Sequence, residues 1–155
     1  MFRVAFGTVP RLVLGTLMLV AVGINFANVV GRYLLGEALF WAEEILVYLV
    51  IWGVFVGFAA IAADGAHLNM DLFSSRLPGH WKTAVNALMA AAFVACGAFM
   101  IAQSWQVVAL FVDAGQVSVA ARVPKAVPHA ALIFGFALAV LAVVVRIRSY
   151  LRGKF

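Results

Sequence analysis

Side chains able to do chemistry are few in this chain, and their spacing does not build a catalytic or metal centre. There are three histidines, one cysteine and six carboxylates. A zinc site draws three or four ligands from His, Cys, Asp and Glu. The nearest approach is His67 with Asp71, four apart and so on one face of a helical turn. Two ligands fall short, and a local hydrogen bond or charge contact is the plainer reading of the pair. Ser74 and Ser75 stand beside Arg76 and near His80, but the G-x-S-x-G of a nucleophile elbow is missing. A haem needs axial ligands on facing elements. Only His129 is in or near an apolar run, and the topology derived below puts His67 and His80 on the opposite side. Cys96 is alone, so it makes no internal disulfide and reads as a small apolar filler. The residues therefore point to no enzyme activity, no cofactor and no metal.

What the chain does have is apolar length. Of its 155 residues 66% are hydrophobic and 11% charged, against about a quarter charged in soluble domains. Four intervals contain no Asp, Glu, Lys or Arg: Leu12 to Gly31, Ile45 to Ala63, Thr83 to Val112 and Ala126 to Val145. A helix needs roughly 20 apolar residues to cross about 30 Å of hydrocarbon, and each interval meets that length. Period-two alternation, the mark of a membrane β-barrel, is absent. The expected fold is an all-α membrane protein, a single integral-membrane domain of four transmembrane helices at about 12–31, 45–63, 83–112 and 126–145. The third is too long for a perpendicular crossing. Gln103, Ser104 and Gln106 in its second half favour projection into a headgroup or aqueous layer.

Basic residues set the orientation, because short loops rich in Lys and Arg stay in the cytoplasm. Arg3 and Arg11 precede the first span, Arg76 and Lys82 lie between the second and third, and Arg146, Arg148, Arg152 and Lys154 follow the fourth. Only Arg32, Arg122 and Lys125 fall on the other side. Both termini are expected in the cytoplasm, and the first span reads as a retained signal anchor, being longer than a signal-peptide h-region. The net charge of +5 belongs largely to the tail, where anionic headgroups account for it. Nucleic acid is discarded as a partner. Between the second and third spans Met70, Phe73 and Leu77 share a helical face, so a short interfacial segment over 68–77 is expected, ended by Pro78 and Gly79.

Within the spans, no acidic or basic residue is placed to relay ions, as a stand-alone pump would require. Packing surface is what remains. Gly53 and Gly57 form a G-x-x-x-G, and Gly23, Ala27 and Gly31 repeat the small-residue spacing, which lets helix backbones approach where lipid removes the hydrophobic drive. Asn25 and Asn28 lie on one side of the first helix, suited either to a partner across a helix interface or to water at its external end. Arg32, Tyr33, Glu37, Trp41, Glu43 and Glu44 crowd the first external loop. Tyr33 and Trp41 suit an interfacial belt, and the two glutamates precede a helix whose dipole favours them. Anchoring and docking are both open for this loop.

The run from Asn28 to Asp71 carries a resemblance. Asn28, Arg32 and Tyr33, then Trp41-Ala42-Glu43-Glu44, Tyr48-Leu49, Trp52, Phe55 and Gly57, then Asp64-Gly65-Ala66-His67-Leu68 and Asp71 resemble the small membrane subunit of tripartite ATP-independent periplasmic (TRAP) transporters, the DctQ-like family. The fourth span departs from the usual pattern, with Val123-Pro124 followed by Ile133-Phe134-Gly135. The resemblance implies a small non-catalytic subunit of the bacterial inner membrane. It would serve a secondary transporter that imports organic acids, commonly carboxylates. Its implied partners are a large multi-span, ion-coupled permease subunit, a periplasmic substrate-binding protein and the lipid bilayer. Asn28, Arg32, Tyr33, Trp41, Glu43, Glu44, Trp52, Gly53, Gly57, His67 and Asp71 become candidate interface residues. The competing class is a self-contained homo-oligomeric channel or exporter, which the missing intramembrane carboxylate disfavours. A redox-enzyme anchor would require bound haem or quinone.

Overall fold

A computed structural model of the chain describes residues 8–64 and 79–147. Four helices make it up: α1 (Val9–Val30), α2 (Ala42–Asp64), α3 (Gly79–Asp113) and α4 (Ala126–Val145). All four are long and apolar enough to cross a membrane. Helix ends lie outside the charge-free intervals, by three residues at the start of α1 and α2 and four at the start of α3. A charge marks where water begins, whereas a helix ends where its terminal N–H and C=O groups find other partners. α1 shows this at its C-terminal end. It runs past Arg32 through a π-helical turn, Gly31–Leu35, and stops at Gly36, whose φ of 72° is the left-handed conformation of a helix C-cap. The Glu37 N–H then bonds back to the Gly31 carbonyl at 3.0 Å. A Cβ on Gly31 would lie 2.7 Å from the Glu37 carbonyl oxygen, so the return needs glycine there.

α3 is one unbroken helix of 35 residues, about 52 Å at 1.5 Å per residue. That exceeds the hydrocarbon thickness, as its sequence required. The interfacial segment expected over 68–77 lies outside the described residues.

Sequence order and spatial order differ. α1 packs on α2, α2 on α4, and α4 on α3, so the fourth helix is inserted between the second and the third. α2 and α4 run parallel: Trp52 meets Phe134 and Phe55 meets Phe136, while beyond them Arg146 reaches the Ala63 carbonyl. α3 runs antiparallel to α4, with Phe111 against His129 at one end and Ala90 clustered with Val143 towards the other. The central place of α4 explains its burial. Ala131, Gly135, Ala139, Ala142 and Val143 are covered, and four of these five carry a side chain no larger than a methyl group. In lipid, helices gain little from hiding apolar surface and are held by close van der Waals fit. Small residues supply that fit.

Candidate functional site

Polar side chains collect where α1, α2, the connection between α3 and α4, and the start of α4 come together, here called the outer end. Asn28, on the last turn of α1, is buried, and its Oδ1 accepts the Leu39 N–H at 2.9 Å. The bond ties the α1–α2 connection back onto α1. Of the two sequence readings of Asn28, a cross-interface amide or a solvated one, the structure shows a third: the acceptor serves the chain's own loop. Arg32 and Glu43 face each other at 3.7 Å with both side chains exposed, a contact that stabilises little. Tyr33, Leu34, Leu35 and Phe40 are at least three-quarters exposed, and Trp41 is 42% exposed. This apolar shelf beside Arg32 and Glu43 suits the membrane–water boundary.

Glu44, one residue further into α2, reaches across to the α3–α4 connection. Its Oε1 accepts the Ala120 N–H at 3.1 Å, and its Oε2 accepts those of Ala120 at 3.2 Å and Ala121 at 2.8 Å. An open cleft of about 400 Å³ lies beside this contact, lined by Glu43, Tyr48, Val119, Lys125 and His129 among others. The His129 ring rests on Phe111, with centroids 5.0 Å apart.

Deeper in the bundle, Trp52 packs on Phe134 of α4 with centroids 6.0 Å apart. Gly53 and Gly57 face α1, where an added Cβ would meet Leu14 at 3.8 and 3.7 Å, ordinary contact distances. An apolar groove of about 530 Å³ runs between α1 and α2 from Leu14 to Asn25, with Leu46, Val50 and Gly53 on its far wall. His67 and Asp71 lie outside the described residues. Among the described residues no group of three or more His, Cys, Asp or Glu is gathered for a metal.

The Arg32–Glu43 pair and the Asn28 and Glu44 contacts all lie at helix ends of a long apolar bundle, and the family comparison decides which membrane protein this is. The family described as tripartite ATP-independent periplasmic transporters, DctQ component, matches residues 21–153. The chain belongs to that family. It is thus a multi-pass membrane protein and a TRAP transporter subunit, a transport component and not an enzyme. The ectoine TRAP transporter small permease protein TeaB of Halomonas elongata is 40% identical over 52 residues. That stretch covers 34% of this DctQ-family chain and about a quarter, 27%, of the relative.

Three features of the bundle escaped the sequence reading. α2 and α4 approach closely at Gly135, where a Cβ would sit 2.6 Å from the Phe55 Cβ and 3.0 Å from the Phe55 carbonyl oxygen. α3 and α4 approach closely at Gly97, where a Cβ would lie 2.5 Å from the Val140 Cγ2. A signal existed for the first: Ala131, Gly135 and Ala139 repeat a small residue every fourth position in the fourth span, the same small-xxx-small spacing noticed in the first two. The Glu44 contact had no such signal, because its acceptors meet main-chain N–H groups, which carry no residue code. Arg146 was read only as part of a basic tail. Its Nη1 also donates to the Ala63 carbonyl at the inner end of α2, where a cation meets unpaired helix carbonyls.

Proposed function

We propose that this chain is the small, non-catalytic subunit of a TRAP-type importer in a bacterial inner membrane, bracing a large ion-coupled permease subunit that receives organic acids from a periplasmic binding protein. Membership of the DctQ family over residues 21–153 carries this reading. The physical observation beside it is that the four spans hold no carboxylate or basic side chain in their charge-free intervals, so the ion relay is assigned to another chain. The α1–α2 groove, bordered by Met18 and Val22, and a second exposed stripe of α1 at Leu12, Leu19 and Phe26 supply apolar surface for the large subunit. The distribution of basic residues supports cytoplasmic termini, with the outer end on the periplasmic side. Organic carboxylates, and ectoine from the name of the Halomonas elongata relative, are the solutes to offer first.

The test is co-expression with the neighbouring membrane and periplasmic genes, followed by pull-down and uptake with and without this chain. Co-purification and chain-dependent uptake are expected. Normal uptake in its absence would falsify the reading, and transport by the purified chain alone in liposomes would replace it with the self-contained channel or exporter.

A further inference from the structure

We propose that Glu44 is a positioning residue that latches the α3–α4 connection to the head of α2 and so fixes the periplasmic platform on which the solute-binding protein docks. The docking half rests on the function proposed above; the latch itself does not. The α3–α4 connection is a small closed turn. Val117 bridges to Pro124 in antiparallel fashion, the Ser118 N–H bonds the Val123 carbonyl at 2.8 Å, and the Lys125 N–H bonds the Gln116 carbonyl at 3.1 Å. Ser118 Oγ also accepts the Val123 N–H at 3.2 Å. These bonds shape the base of the turn but leave its tip outside the bundle, with Val119 91% exposed. At the tip the Ala120 and Ala121 N–H groups converge on a single anion, in the manner of a main-chain anion nest. The anion is the Glu44 carboxylate. The next residue, Arg122, holds φ at 54°, an unfavourable conformation for a side-chain-bearing residue that persists only when neighbours enforce it.

The helices do not need this latch. α2, α4 and α3 already interlock through Phe55 on Gly135 and Val140 on Gly97. What Glu44 adds is the placement of the tip relative to α2, and with it the width of the cleft between Glu43, Tyr48, Lys125 and His129. Charges of both signs border that cleft: Glu43 and Glu44 from α2, Lys125 at the start of α4, and Arg32 in contact with Glu43. A mixed field suits a polar protein surface better than an anionic lipid surface, which favours a uniformly basic patch.

The experiment uses the whole transporter in nanodiscs and proteoliposomes, with Cys96→Ala removing the native thiol and a spin label on Val119→Cys. The label is expected to be restrained with Glu44 present, freed in Glu44→Ala, and intermediate in Glu44→Gln, which keeps one acceptor oxygen and loses the charge. Arg32→Ala should leave it restrained. In uptake assays Glu44→Ala should raise the half-saturating concentration of binding protein roughly three- to tenfold, the scale of losing one ordinary hydrogen bond. The rate at saturating binding protein should stay unchanged, and Glu44→Gln should recover part of the shift. A label equally restrained in Glu44→Ala overturns the latch. A freed label with unchanged half-saturation, or a fall in the saturated rate alone, overturns the docking role. Full uptake with the small subunit deleted overturns the proposed function and the docking role together, while the label still decides the latch.

Discussion

α2 has two main helix neighbours, α4 and α1, and meets them in opposite ways. Towards α4 it presents Phe55, whose Cβ and carbonyl oxygen leave no room for a side chain on Gly135, and Phe58, whose ring lies 5.2 Å from that of Phe136 and also 6.0 Å from that of Phe93 on α3. Towards α1 it presents Gly53 and Gly57, where a Cβ would make only ordinary contact with Leu14, and Gly53 borders an open groove. The glycines with sequence spacing typical of tight packing lie on the loose seam. The tight seam uses one glycine facing an aromatic residue. In lipid both seams lack a strong hydrophobic drive, so the difference in fit is a difference in strength. α2, α4 and α3 form a closely fitted block, and α1 packs on it more loosely, along α2 through Leu14 and at its end through the Asn28 clamp.

The contrast is most severely tested at Gly135. Gly135→Leu forces α2 and α4 apart against main chain, not only against a movable side chain, and overpacking of this kind should destabilise by about 3 kcal/mol or more. Thermal unfolding in detergent checks it, and an unchanged midpoint would place the seam elsewhere. Asn28→Ala attacks the clamp of α1. It strands the Leu39 N–H in a part-buried site, at a cost of about 1–3 kcal/mol, and hydrogen exchange at Leu39 should rise while exchange along α4 does not. Arg32→Ala breaks an exposed pair and should change stability by no more than about 1 kcal/mol, a difference that high salt should erase.

The smallest expected effect is the most discriminating. Gly57→Ala fits its space and should alter the stability of the isolated chain by less than about 0.5 kcal/mol. Gly53→Leu, on the groove wall, should perturb the block little as well, since it points at α1, yet it should weaken pull-down of the large subunit if that protein fills the groove. Undiminished pull-down would move the intersubunit contact off this face.

Four spans and their approximate limits were legible because the absence of charge over about 20 residues is a direct consequence of bilayer thickness. The helical overhangs were not, since Arg11, Glu43 and Glu44 are compatible with a helix that simply continues into water. Family membership was legible from Asn28 to Asp71, and the match over residues 21–153 extends it. Helix order was hidden: nothing in the run of apolar residues says that α4 sits between α2 and α3, although the Ala131, Gly135, Ala139 repeat marks a helix meant to be covered. The roles of individual polar residues were least legible. Asn28 and Glu44 both bind backbone N–H groups of distant loops, and a main-chain partner leaves no trace in residue type.

The position of α4 also governs when the molecule is finished. α2 emerges from the ribosome long before the helix that covers its Phe55 and Ala59 face exists, and its immediate successor α3 is not the one that completes it. Until α4 enters the bilayer, the main packing partner of both α2 and α3 is missing, and a chain halted after Asp113 lacks the helix that joins them. The twenty-residue α4 is therefore the piece on which the order of assembly turns.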